Sequence, residues 1–147
     1  MAETQPQDVL VSTGSLPWMP LGPGTWYKLL RVSAETGTWS ALLKMDPGAR
    51  FSPHKHFGAA DFYVLKGALE YRAGIARAGD YGYEPLGVEH GATTCAEETI
   101  LTFTAYGPIV FYNEDGAVSM ILDWEFVQKQ AAGEQVDSNF SVAKNAA

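Results

Sequence analysis

The chain has one cysteine, Cys95, among 147 residues. No disulfide can form within it, and nothing in its cysteine usage points to an oxidising compartment. It also lacks a basic cluster: ten Lys and Arg stand against seventeen Asp and Glu, for a net charge of −7. Phosphate contacts need a positive face, so neither nucleic acid nor an anionic membrane surface is an expected partner. No apolar run approaches the ~18 residues of a bilayer-spanning helix. The opening MAETQPQDVL has neither a basic n-region nor an apolar h-region, so no signal peptide is expected and a cytoplasmic location is the default. Charged residues make up only 18% against 46% hydrophobic, which argues against disorder and supplies one sizeable core.

Helical periodicity is scarce as well. From Trp26 to Leu122 short aromatic and aliphatic runs recur, among them WYKLLRV, TWSALLKM, FYVL, TILTFTAY and VSMIL, punctuated by Gly, Pro, Asn and Asp. Closely spaced short strands of this kind form a sandwich or barrel. NEDG, between IVFY and AVSMIL, reads as a hairpin turn. Before the barrel, residues 1–24 read as an irregular arm, because Pro17, Pro20 and Pro23 exclude a helix or a central strand. Trp18 in that arm is expected to pack on the barrel or on a neighbouring subunit. One helix is predicted, over about 123–132, capped by Asp123, with Glu125 in its first turn and Gly133 ending it. Residues 133–147 read as a polar tail. The whole chain, 1–147, is one all-β domain with arm 1–24, barrel 25–122, helix and tail.

The three histidines are His54, His56 and His90. Side chains alternate along a strand, so His54 and His56 point the same way and Lys55 the other. Two imidazoles can then converge on one ion, and imidazole suits Fe, Zn, Cu and Ni. His90 follows a turn shaped by Pro85 and Gly87. A lone histidine or a bare His-x-His pair is weak evidence. Two linked patterns are stronger: Gly48, five residues, His54-x-His56 and later Gly67; then Gly79, five residues, Pro85-x-Gly87-x-x-His90.

In order and spacing these patterns resemble the two motifs of the cupin family. The resemblance implies a double-stranded β-helix, the jelly-roll barrel, with a metal near its centre. One element is missing. Ala60, seven residues before Gly67, stands where the family has a glutamate. Asp61 comes one residue later, and a one-residue shift turns a strand side chain to the opposite face. Asp61 is therefore a poor candidate for a fourth ligand unless a bulge rescues it. Three neutral ligands leave the full charge of a divalent ion in place and coordination positions open for a bidentate anionic oxygen ligand such as an enolate.

Longer stretches, ETGTWSALLKMDPGARFSPHKH, LKGALEYRAG, EPLGVEHGAT and YGPIVFYNEDG, resemble the acetylacetone-cleaving (β-diketone) dioxygenases. LPW in the arm is similar to the related 2,4'-dihydroxyacetophenone dioxygenases. The match covers about residues 25–127. The resemblance implies an Fe(II) centre on His54, His56 and His90, taking a dicarbonyl substrate and O2. It implies outer polar roles for Glu84, Arg72 and Thr93, and an aromatic pocket position at Phe51. Phe62 stands where those enzymes have tyrosine, and Leu101 and Ala105 stand where they have phenylalanines. These changes imply a pocket of different, roomier shape. The residues alone give a blander account. Tyr81, Tyr83 and Pro85 are large and mostly apolar, so strand alternation would turn them to the core and Glu84 outward. If Glu84 is buried instead, Arg72 is its expected partner. Phe51, Phe62, Phe103 and Tyr106 read as ordinary core, and Cys95 as a small buried hydrophobe. An α-hydroxyketone substrate, or a zinc-binding regulatory cupin without catalysis, are the competing readings. Sheet edges and the arm suggest a homodimer or homotetramer.

Overall fold

The computed structural model describes residues 8–91 and 93–133. Among the described residues, fourteen strands form three antiparallel sheets. The largest has six strands: β1 (Met19–Gly22), β2 (Thr25–Val32), β3 (Trp39–Met45), β12 (Thr99–Ala105), β6 (Ala60–Lys66) and β9 (Tyr81–Glu84), in that order. A second sheet runs β10 (Glu89–His90), β5 (His54–His56), β13 (Ile109–Tyr112) and β14 (Val118–Leu122). The third runs β4 (Arg50–Phe51), β11 (Thr93–Thr94), β7 (Ala68–Tyr71) and β8 (Gly74–Arg77). Together they make the jelly-roll barrel that the two motifs imply, with the core inside. Among the described residues no helix is long and apolar enough to cross a membrane.

Local chemistry explains the connections. NEDG closes a hairpin in which Asn113 N–H donates to the Ala117 carbonyl at 2.8 Å and Gly116 takes φ +84°, a conformation with no steric cost for glycine. The helix α1 spans Trp124–Ala131, and the Asp123 carboxylate accepts from Phe126 N–H at 2.9 Å as its cap. The arm differs from expectation. Met19–Gly22 is a strand, but at the sheet edge, where Pro20 leaves no central ladder position empty. Trp18 packs on the barrel, with Lys28 and Lys44 Nζ each 4.7 Å from its ring centre. The polar tail, 134–147, lies outside the described residues.

Strand register fills the interior in rows. One inward row runs Trp39, Ala105, Ala60, Glu84; the next runs Ala41, Phe103, Phe62, Gly82. Large and small positions complement one another between rows, as a close-packed core requires. In the second row Phe62 lies directly over Gly82, in the space a Cβ there would occupy. Gly82→Ala is expected to force Phe62 off its place at a cost of about 1–3 kcal/mol. Scanning calorimetry should show Tm falling by about 3–10 °C; an unchanged Tm would show that Phe62 moves freely.

Candidate metal centre

The turn 85–88 is tied to β5 by two backbone bonds. His56 N–H donates to the Val88 carbonyl at 2.9 Å, and Gly87 N–H donates to the His56 carbonyl at 2.8 Å. This places β10 beside β5, with His90 directly opposite His54 in the ladder. One ring nitrogen from each of His54, His56 and His90 falls within 4.8 Å of the others. His56 and His90 are buried, at 1% and 4% exposure. Among the described residues no other group of three His, Cys, Asp or Glu side chains converges in this way.

The ring environments differ. His54 Nδ1 lies 2.8 Å from the Ser52 carbonyl. A carbonyl only accepts, so Nδ1 carries the proton and Nε2 keeps its lone pair. Burial pushes the His54 pKa down to about 4, and the neighbouring His56 and His90 act in the same direction against the Ser52 bond. The ring is therefore neutral at physiological pH, as a metal ligand must be. All four ring nitrogens of His56 and His90 are buried without a hydrogen-bond partner. Burying ring nitrogens without a hydrogen bond is costly, and a coordinated cation would answer it. The donor set thus fits a divalent metal.

Glu84 completes the cluster. Its carboxylate oxygens lie 3.0 Å from His56 Nε2 and 3.3 Å from His90 Nε2. Both are ion-pair distances without hydrogen-bond alignment. Burial raises the Glu84 pKa, but the contacts with the two histidines outweigh it and hold the carboxyl at about 2. Register explains the placement. Glu84 sits directly opposite Ala60, the position where the cupin motif has glutamate. The carboxylate absent from β6 enters the barrel from β9.

The alternation reading of β9 is corrected here. Tyr81 and Tyr83 are 63% and 58% exposed, while Glu84 is 8% exposed. Gly82, which has no side chain to reveal its direction, shares the inward face. Arg72 is exposed in the turn between β7 and β8, and the partners of Glu84 are histidines instead. Asp61 points outward, accepting from Tyr81 Oη at 3.1 Å and Tyr106 Oη at 2.9 Å. β6 keeps regular pairing through Val64, so no bulge turns Asp61 inward. Tyr106, read as core, is 48% exposed.

Beside the histidines lies a cavity with about 530 Å³ of unfilled space, part of it open solvent. Phe51, Phe62, Leu101 and Thr93 line it, as do Phe103 and Phe111. Ala105 is buried in the Ala60 row but is absent from the cavity wall. Two neighbours escaped the sequence reading. Phe111 pairs with His54, their ring centres 4.9 Å apart. Trp39 lines the cavity with a buried indole N–H that has no acceptor. The inward phase of WSALLKM was readable as alternation, but the unpartnered donor was not.

The sequence profile of the ChrR cupin-like domain matches residues 6–110. The chain belongs to this cupin family. The chain is 32% identical over 111 residues to the acetylacetone-cleaving enzyme of Acinetobacter johnsonii, covering 71% of this chain and 72% of that protein. The crystal structure of the acetylacetone dioxygenase from the same organism aligns with TM-score 0.77 at 28% identity, covering 92% of this chain and 97% of that one. A provisionally assigned acetylacetone dioxygenase from Methylibium petroleiphilum PM1 aligns with TM-score 0.82 at 28% identity, covering 90% and 99%. The cupin is thus similar to these enzymes in sequence and in fold.

Proposed function

We propose that this cupin is an Fe(II)-dependent dioxygenase that cleaves a carbon–carbon bond of a β-diketone-like substrate bound as its enolate. The observation that carries this reading is the convergence of His54, His56 and His90 beside an apolar cavity, in a chain related to an acetylacetone-cleaving enzyme. The three histidines would hold the metal. A divalent ion there supplies Lewis acidity and a template for two substrate oxygens.

The chain's own residues do the rest. Phe51, Phe62, Leu101 and Phe103 give the substrate an apolar wall and exclude water. Glu84, ionised with its carboxyl at about 2, is too weak a base to deprotonate a carbon acid alone. Standing beside His56 and His90, it offsets positive charge and restricts how the two rings can turn. The enolate reacts with O2 at its central carbon; the bond from that carbon to a carbonyl carbon and the O–O bond both break, and one oxygen atom ends in each product, a carboxylate and a 1,2-dicarbonyl. Thr93, buried on the cavity wall, offers a hydroxyl to a substrate oxygen.

The test is oxygen uptake by the purified, Fe(II)-loaded protein with a panel of 1,3-diketones and hydroxyacetophenones. Stoichiometric O2 consumption and cleavage products are expected with the diketones. Uptake with α-hydroxyketones alone would move the substrate class, and no uptake with either would overturn the reading.

A further inference from the structure

Four tryptophans are present, and three of their indole N–H groups are accounted for. Trp26 Nε1 donates to Asp46 Oδ2 at 3.3 Å. Trp18 and Trp124 are half-buried, and neither seals its N–H from water without a partner. Trp39 differs. It is 1% exposed, and its Nε1–H is buried without an acceptor. A buried indole N–H usually has a partner, and leaving it unpaired is costly. Phe103 packs against the ring, centroids 5.6 Å apart at 43°, but an aromatic ring is a second-order acceptor.

Trp39 stands on the wall of the cavity beside the histidines. In register it ends the inward row that runs through Ala105 and Ala60 to Glu84. Glu84 is at the other end, three inter-strand steps or on the order of 14 Å away along the sheet. The two alanines between them carry no bulk to part the two ends. Apart from the histidines, Glu84 and Thr93, the rest of the wall is apolar. Among the described residues no group answers the Trp39 donor. With so little of the residue exposed, the open space that its ring borders is the cavity.

We infer that Trp39 is a specificity residue whose N–H binds an oxygen carried by the substrate, on the side away from the metal-chelating pair. The inference rests on the diketone reading of the site and narrows it. The preferred substrate is a 1,3-dicarbonyl with a short apolar arm that bears a third oxygen, as an ether, ester or ketone. Two oxygens chelate beside His54, His56 and His90, and the third reaches toward the Trp39 end of the Ala60 row. A carboxylate arm does not suit that end: no Lys or Arg lines the cavity, and one neutral N–H does not offset the burial of a charge. A site built around a hydrogen bond discriminates against the analogue that lacks the partner, because its own polar group is then left unpaired.

Matched pairs of 1,3-diketones test this. One member carries an ether oxygen at the second, third or fourth atom of one arm, and its twin carries CH2 there. With zinc in place of iron the protein is redox-silent, so calorimetry reads affinity without turnover. At one oxygen position the wild type should bind the ether at least ~5-fold tighter than its twin. Trp39→Phe keeps a ring and removes the donor, and there the ratio should fall below ~2-fold. Any effect of the oxygen on chelation cancels in that comparison. Proton–nitrogen correlation spectra give a direct readout. The indole signal missing in Trp39→Phe belongs to Trp39, and it should shift downfield with the ether but not with the twin. Twins bound equally at every position, or a Trp39 signal that ignores the ether, would overturn the inference and leave the diketone reading intact. Binding of neither member would overturn that reading and this inference with it.

Discussion

Replacing His90 by alanine is expected to lower bound metal from about one ion per chain to less than about one-tenth. Activity should fall with it. His90 is buried opposite His54, and its two ring nitrogens have no hydrogen-bond partner. No other described cluster can take over the ion. Losing one of three imidazole donors leaves two imidazoles and water, and Glu84 then faces His56 alone. Elemental analysis after dialysis against weak chelator measures the result, with circular dichroism to verify the fold. His54→Ala and His56→Ala should behave alike, whereas Glu84→Gln should keep metal and lose about 10- to 100-fold in affinity or activity. Stoichiometric metal in the His90 variant would refute the ligand assignment.

The second large effect is expected from restoring the family glutamate. Ala60 is fully buried and directly opposite Glu84. Opposed side chains have Cβ atoms about 4.5–5.5 Å apart. Ala60→Glu would therefore set two carboxylates side by side in one apolar barrel, where only one can ionise cheaply. The other must be buried unpaired or protonated, at about 3–5 kcal/mol by analogy with broken buried pairs. Denaturant titration of the metal-free protein should show that loss. Ala60→Glu combined with Glu84→Ala moves the single carboxylate back by one strand and should recover most of the stability. Bound divalent metal should narrow the deficit of the single variant. An Ala60→Glu protein as stable as wild type would show that Glu84 does not fill the carboxylate's place.

Legibility followed the physical origin of each feature. The His54-x-His56 pair was readable because the period of a strand leaves no freedom once a strand is granted. The Asp123 cap and the NEDG turn were readable for the same reason, since each satisfies its own backbone groups within a few residues. Glu84 was not readable from its own strand. In YGYE both faces lack a decisive signal: tyrosine tolerates either side, and Gly82 has no side chain at all. The phase was set by Phe62, which occupies the space over Gly82 from the next strand. The pocket changes at Phe62, Leu101 and Ala105 also acquired their meaning only in rows, where Ala105 lies between Trp39 and Ala60.

The sequence by itself determined the barrel, the three convergent histidines and the absence of a glutamate on β6, because those depend on spacing and strand period. Only the tertiary structure decided which carboxylate stands beside them. That choice depends on register between β6 and β9, a contact between strands about twenty residues apart, and no local pattern encodes which face of such a strand the barrel will close over.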